Sequence, residues 1–224
     1  MTELKRGPRA FDLVVFDWDG TLANSTGLIA DAIKAACGDL GVPLPADDAA
    51  RYVIGLGFES AVRHVAPGLE RAAYPEFSAA YRKHYIAGEE EIALFKGVRE
   101  LVRDLDAADY KVAIATGKSR SGLQRVLQQT AMHDAFHATR CGDEGHAKPH
   151  PDMLENLMRF LAVPPARTLM IGDTSHDLEM ARHAGAGSVA VTHGAHSVAA
   201  LAECAPLAIV DSIGALRYWL AVEG

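Results

Sequence analysis

Short, mostly apolar runs recur along the chain, each closed by small or polar residues. Leu13–Phe16, Lys111–Ala115, Thr168–Ile171, Ser188–Val191 and Leu207–Val210 read as strands covered on both faces. Between most of them the apolar positions fall on one face of a helix. Val98, Leu101, Val102 and Leu105 do so, as do Leu123, Val126 and Leu127, and Met153, Leu154, Leu157, Met158 and Leu161. Such alternation predicts an α/β fold, a doubly wound parallel sheet of the Rossmann-like kind.

One region breaks the alternation. From Thr26 to Ile92 no strand is legible, only alanine-rich helical texture. Helices are predicted over Leu28–Leu40, Asp47–Ile54, Glu59–Val65 and Ala72–Ala87, punctuated by Pro43, Pro45, Pro67-Gly68 and Gly88. The expectation is a helical cap domain over 23–94, inserted after the first strand into an α/β core formed by 1–22 and 95–224. No repeat or low-complexity linker interrupts either part.

Composition narrows the classes. A chain of 224 residues can build one full core and a smaller appended domain. Net charge of −7 argues against a nucleic-acid surface or an anionic membrane, but not against a phosphorylated small molecule, because local charge governs a pocket. Cys37, Cys141 and Cys204 are far apart and odd in number, so neither a disulfide framework nor a zinc knuckle is indicated. Met1 to Ala10 is polar and basic without a signal-peptide stretch, and no apolar run approaches membrane-spanning length. A cytoplasmic setting is the expectation, with oligomeric state left open.

Ligands of open α/β sheets bind beyond the carboxyl ends of the strands. After the first predicted strand come Asp17 and Asp19, whose i, i+2 spacing puts both carboxylates on one side of an extended chain. Neither has a cation nearby in sequence, and a hard divalent ion such as Mg²⁺ would relieve their repulsion. A plain Asp-Gly turn is the competing reading. After the second strand come Thr116, Gly117, Lys118 and Ser119, opening a helix suited to an anion. After Thr168–Ile171 come Gly172, Asp173, Thr174 and Asp177, and Lys148 precedes Pro149 ahead of another helix. Each piece has a bland alternative: a helix start, a loop lysine, acids serving a helix dipole. Together, at strand ends and in this order, they suit metal-assisted phosphoryl transfer.

The ordered set Asp17-Trp18-Asp19-Gly20-Thr21, Ala115-Thr116-Gly117-Lys118, Lys148-Pro149 and Gly172-Asp173-Thr174-Ser175-His176-Asp177 resembles the haloacid dehalogenase superfamily. It is most similar to the phosphoglycolate-phosphatase-like branch with a helical cap, over Phe11 to about Val210. The resemblance implies a Mg²⁺-dependent phosphatase for a small, phosphoglycolate-like metabolite. Asp17 would form an aspartyl-phosphate, and Asp19 would act as general acid and then base. Thr116, Gly117 and Lys148 would hold the phosphate, and Lys148 would also neutralise the nucleophile. Asp17, Asp173 and the Asp19 backbone carbonyl would bind Mg²⁺, while Asp177 would support the metal site or orient Lys148. Gly55, Gly57, Phe58 and Glu59 resemble the substrate-facing cap loop. Lys34, Arg51, Arg63 and His64 are candidate cations for an acidic substrate. Hinges are expected near Leu22–Thr26 and Leu94–Gly97. Asn24-Ser25 departs from the branch's usual Asp-Ser, losing a charge.

Other signals fail. Gly117-Lys118-Ser119 imitates the end of a P-loop, but Val112 stands where its first glycine belongs. Gly55-x-Gly57 lacks the third glycine and preceding strand of a dinucleotide fingerprint. His133, His137, His146 and His150 fit no zinc pattern. His176 is expected to cap a helix or face solvent, and Trp18 to point away from the acids into packing. The rival readings are a phosphosugar mutase, pyrophosphatase or phosphonate hydrolase on the same fold, a haloacid dehalogenase, a phospho-accepting switch without turnover, and a silent binding protein.

Overall fold

The computed structural model describes Leu4 and residues 9–224, so the reading of Met1–Ala10 falls largely outside the described residues. Six parallel strands form one sheet in the order β3-β2-β1-β4-β5-β6. They are β1 (Leu13–Phe16), β2 (Lys111–Thr116), β3 (Ala138–Cys141), β4 (Thr168–Gly172), β5 (Gly187–Val191) and β6 (Ala208–Val210). The order reverses beside β1, whose Leu13–Phe16 pair with Lys111–Ile114 on one side and Thr168–Ile171 on the other. The reversal opens a crevice at the carboxyl ends of β1 and β4.

Alternation along β1 builds two cores. Val14 and Phe16 pack with α5 (Val98–Ala107), α6 (Arg120–Gln129) and α10 (Ile213–Val222), while Leu13 and Val15 pack with α7 (Asp152–Leu161) and α8 (Ser175–Ala184). Each buried Val, Leu or Phe side chain contributes about 1.5–3 kcal/mol, enough to offset a backbone ordering cost of about 1–2 kcal/mol per residue. Trp18 lies in the first of these cores, away from the acids as expected. A further short helix, α9 (Val198–Glu203), precedes β6.

Between β1 and α5 the described chain is helical: α1 (Thr26–Asp39), α2 (Asp47–Tyr52), α3 (Phe58–Val65) and α4 (Tyr74–Gly88), with an apolar cluster of its own. A 3-10 turn at Arg71–Ala73 takes up the start of the stretch predicted as a helix over 72–87, because Pro75 sits in the first turn of α4. The two connectors to this insert lie side by side. Asn24 N–H donates to the Ala93 carbonyl and Phe95 N–H to the Leu22 carbonyl, both at 2.9 Å. No helix among the described residues is long and apolar enough to cross a membrane.

Candidate active site

The strand ends bring the sequence-distant acids into one buried corner. Asp17 leaves β1 with its backbone N–H bound to the Ile171 carbonyl of β4 at 2.9 Å. Its Oδ1 accepts from Lys148 Nζ at 2.7 Å, and its Oδ2 is buried without a hydrogen-bond partner. The same Lys148 ammonium lies 2.6 Å from Asp177 Oδ1. Asp177 is fixed in turn by a capping box at the start of α8. Its Oδ2 accepts from the Thr174 N–H at 3.1 Å and the Thr174 hydroxyl at 2.7 Å.

Asp173 follows β4 and is held from two directions. Its Oδ1 accepts from the Thr21 hydroxyl and its Oδ2 from the Ala195 N–H, both at 2.7 Å. Gly20 makes room for it. With φ of +82°, a Cβ there would stand 2.2 Å from Asp173 Oδ2.

Asp17, Asp173 and Asp177 each offer a carboxylate oxygen within 4.8 Å of the others, and all three residues are buried. One buried lysine pairs with Asp17 and Asp177, and among the described residues none pairs with Asp173, which leaves an uncompensated negative corner. Burial raises Asp17 to about 7; Lys148 opposes the rise, while Asp177 and Asp19 add repulsion to it. Burial likewise raises Asp173, reinforced by Asp17 and Asp177. Burial works against the charge on Lys148, but the two carboxylates outweigh it and hold the ammonium above its ordinary pKa. A divalent cation fits this donor set: hard oxygen ligands, excess negative charge and one orphaned carboxylate oxygen.

Asp19 stands apart from the three-carboxylate cluster. Its Oδ1 accepts from the Ser25 hydroxyl at 2.6 Å and lies 3.1 Å from Lys118 Nζ. Lys118 also donates to the Tyr85 hydroxyl of α4 at 2.8 Å. The sequence reading placed Lys118 in the helix start after the second strand and gave it no role of its own, and it did not foresee this bridge, because Tyr85 lies 33 residues away. Asn24 is exposed, so the polar contact with the site comes from Ser25 instead.

Thr116 is buried at the end of β2, where its hydroxyl accepts from the Lys118 N–H at 3.2 Å. Gly117 touches the insert: a Cβ there would stand 2.7 Å from the Gly55 carbonyl oxygen. Gly57 packs as closely on Ala147, beside Lys148. Phe58 lines a cavity of about 300 Å³ that also reaches Asp17, Asp19 and Lys118, whereas Glu59 is exposed and paired with Arg71. Lys34 and Arg51 are tied to Asp47, and Arg63 and His64 are exposed outside that cavity.

His176 departs from expectation. It is buried, and its Nε2 donates to the Tyr52 carbonyl at 2.7 Å; His196 Nε2 donates to the same carbonyl at 3.1 Å. Tyr52 comes from α2, so this position in the last motif anchors the insert instead of meeting water.

A parallel sheet with acids, a lysine and a helix start at its reversal point has the arrangement of a phosphoryl-transfer enzyme of the α/β class. The family model for haloacid dehalogenase-like hydrolases matches residues 14–191, and the chain belongs to that family. Over 206 residues it is 34% identical to the protein named "Probable phosphatase IndB" of Dickeya dadantii, covering 89% of each. It is 31% identical over 201 residues to phosphoglycolate phosphatase of Thiobacillus denitrificans, covering 85% of this chain and 87% of the relative. It is also 33% identical over 184 residues to tyrosine-protein kinase PtkA of Mycobacterium tuberculosis, covering 81% of this chain but 62% of that protein. A haloacid dehalogenase-like hydrolase from Streptococcus pneumoniae superposes with a TM-score of 0.79 at 28% identity, covering 94% of this chain and 99% of the other. The expected superfamily, its phosphoglycolate-phosphatase-like branch and the α/β fold class are borne out, as is the expectation of an enzyme of the phosphatase kind.

Proposed function

We propose that this protein is a Mg²⁺-dependent phosphomonoesterase acting on a small phosphorylated metabolite through an aspartyl-phosphate on Asp17. The observation that carries the reading is the buried Asp17 carboxylate, with one oxygen held by Lys148 and the other unpartnered. The free Oδ2 attacks phosphorus, forming a new P–O bond while the ester P–O bond breaks. Asp19 gives its proton to the leaving alkoxide oxygen, then takes one from the water that hydrolyses the acyl phosphate. Inorganic phosphate leaves and Asp17 is restored. Lys148 neutralises charge on Asp17 and the phosphoryl oxygens, held in place by Asp177. Thr116 and the Gly117 amide receive phosphoryl oxygens. Asp17, Asp173 and the Asp19 carbonyl would hold Mg²⁺, which when bound supplies charge neutralisation for the transferring group.

The helical insert acts as a cap. It excludes water and selects the leaving group, hinging at the paired connectors around Leu22–Thr26 and Leu94–Gly97. Gly55 and Gly57 seat it on the core, and Phe58 faces substrate. The test is phosphate release from a panel of phosphorylated metabolites with and without Mg²⁺, using Asp17→Asn as control. Mg²⁺-dependent release lost in the variant supports the reading. A folded protein that accumulates a stable aspartyl-phosphate without turnover supports the switch instead, and phosphoryl shuttling between positions of a sugar supports the mutase.

A further inference from the structure

We propose that the substrate's leaving group is an uncharged, largely apolar alcohol of about ring size, received by the apolar wall that the helical insert presents to Asp17 and Asp19. The inference rests on the phosphatase reading and narrows its substrate class.

The cavity is continuous from the reacting acids into the insert. Its volume is about 300 Å³, at the small end of ligand pockets. That admits a phosphoryl group and a ring-sized remainder. The wall beyond the acids comes from Ile29, Ile33, Val53, Leu56, Val62 and Phe77. The rings of Tyr81 and Tyr85 stack at 5.8 Å along the same wall. Apolar walls with a few convergent polar groups mark sites that orient a ligand by its polar end and select it by its apolar one.

Charge is what an acidic leaving group would need here, and the cavity has little to spare. Lys118 is already shared between Asp19 and Tyr85. Arg125 is held by the buried Glu89, with contacts of 2.5 and 2.9 Å. Arg82 is the one lining cation among the described residues without a carboxylate partner, and it is exposed at the solvent end, where a pair gains little. A carboxylate one carbon from the ester oxygen would instead lie near Asp19, against aliphatic side chains, and would have to compete with Asp19 for Lys118.

The experiment compares benzyl phosphate with 2-phosphoglycolate, each with Mg²⁺. Benzyl phosphate is expected to show a kcat/KM at least about tenfold higher, since even one methylene in an apolar pocket is worth about 10–200-fold. Ser78→Lys, an exposed lining position on α4, adds a cation and should move the ratio about tenfold toward 2-phosphoglycolate. Phe58→Lys should do the same from α3, and Arg82→Ala should leave the ratio unchanged. A preference for 2-phosphoglycolate, or its selective loss in Arg82→Ala, overturns the inference while leaving the phosphatase intact. Calorimetry on Asp17→Asn separates binding from turnover. Benzylphosphonate should bind more tightly than phosphonoacetate, and the reverse order overturns the leaving-group class. Tighter benzylphosphonate without turnover in the parent enzyme overturns the phosphatase reading but supports the ligand class.

Discussion

The Lys118 ammonium donates to the Tyr85 hydroxyl at 2.8 Å, tying the end of the central sheet to α4 of the helical insert. Because the same nitrogen lies 3.1 Å from Asp19, seating the insert and orienting Asp19 share one cation. Removing one partner of a buried charge pair costs about 2–5 kcal/mol, whereas losing one hydrogen bond to a charged group costs about 1.5–3 kcal/mol. Lys118→Met should therefore lower kcat by about a hundredfold, and Tyr85→Phe should mainly raise KM, by about tenfold. Steady-state kinetics on both variants checks this. A Tyr85→Phe enzyme with unchanged KM would remove the bridge from substrate capture.

Asp17→Asn keeps the shape of the side chain and removes the nucleophilic oxygen. Turnover should fall by at least about a thousandfold. The protein should stay folded, because the substitution removes one of three crowded buried carboxylates and leaves Lys148 paired with Asp177. Far-ultraviolet circular dichroism and a phosphate-release assay on the same sample decide it. Activity retained within about tenfold would show that another group attacks phosphorus.

The central strands and most helices were legible because burial on both faces writes itself as a continuous apolar run. Strand β3 was not. Ala138, Thr139 and Arg140 are half-buried at a sheet edge, so they carry no such signature. Leu207 was read into β6 but is exposed outside it. Within the site, the motifs announced which acids and which lysine lie at strand ends. They could not announce partners contributed by the insert. Tyr52, Tyr85 and Glu89 meet His176, Lys118 and Arg125 only through tertiary packing. Nothing in the motif itself marks His176 for burial, and it was expected to cap a helix or face solvent. What reverses that is a backbone carbonyl from α2 aimed at its Nε2.

Gly117 faces Gly55 across the junction of sheet and insert with no space for a side chain. A Cβ there would lie 2.7 Å from a backbone oxygen, which has no rotamer by which to move aside. Gly117→Ala should hold the insert away from the strand ends. KM should rise about tenfold or more, and the radius of gyration should increase. Small-angle scattering beside kinetics tests both parts. Raised KM with unchanged dimensions would assign the loss to the Gly117 amide as a phosphate ligand.

Metal binding should depend on pH in a direction set by Asp17. Burial raises its pKa to about 7 from an ordinary 3.8. Between these values the folded, metal-free protein holds a proton that the unfolded chain has already lost. The stability this group contributes is therefore greatest at low pH and declines as pH rises through that window. Asp173, raised by burial and by the same neighbours, adds a contribution of the same sign. Lys148 stays charged throughout, because Asp17 and Asp177 hold its pKa above the ordinary value. A divalent cation competes with the carboxylate protons, so its apparent affinity should fall about tenfold for each pH unit below about 7 if one proton is released. Thermal unfolding with Mg²⁺ and with chelator, at about pH 8 and about pH 5.5, reads this directly. The Mg²⁺-induced rise in Tm should be larger at the higher pH and should shrink in Asp173→Ala. An equal rise at both pH values, or one that survives Asp173→Ala unchanged, would put the cation elsewhere on the protein.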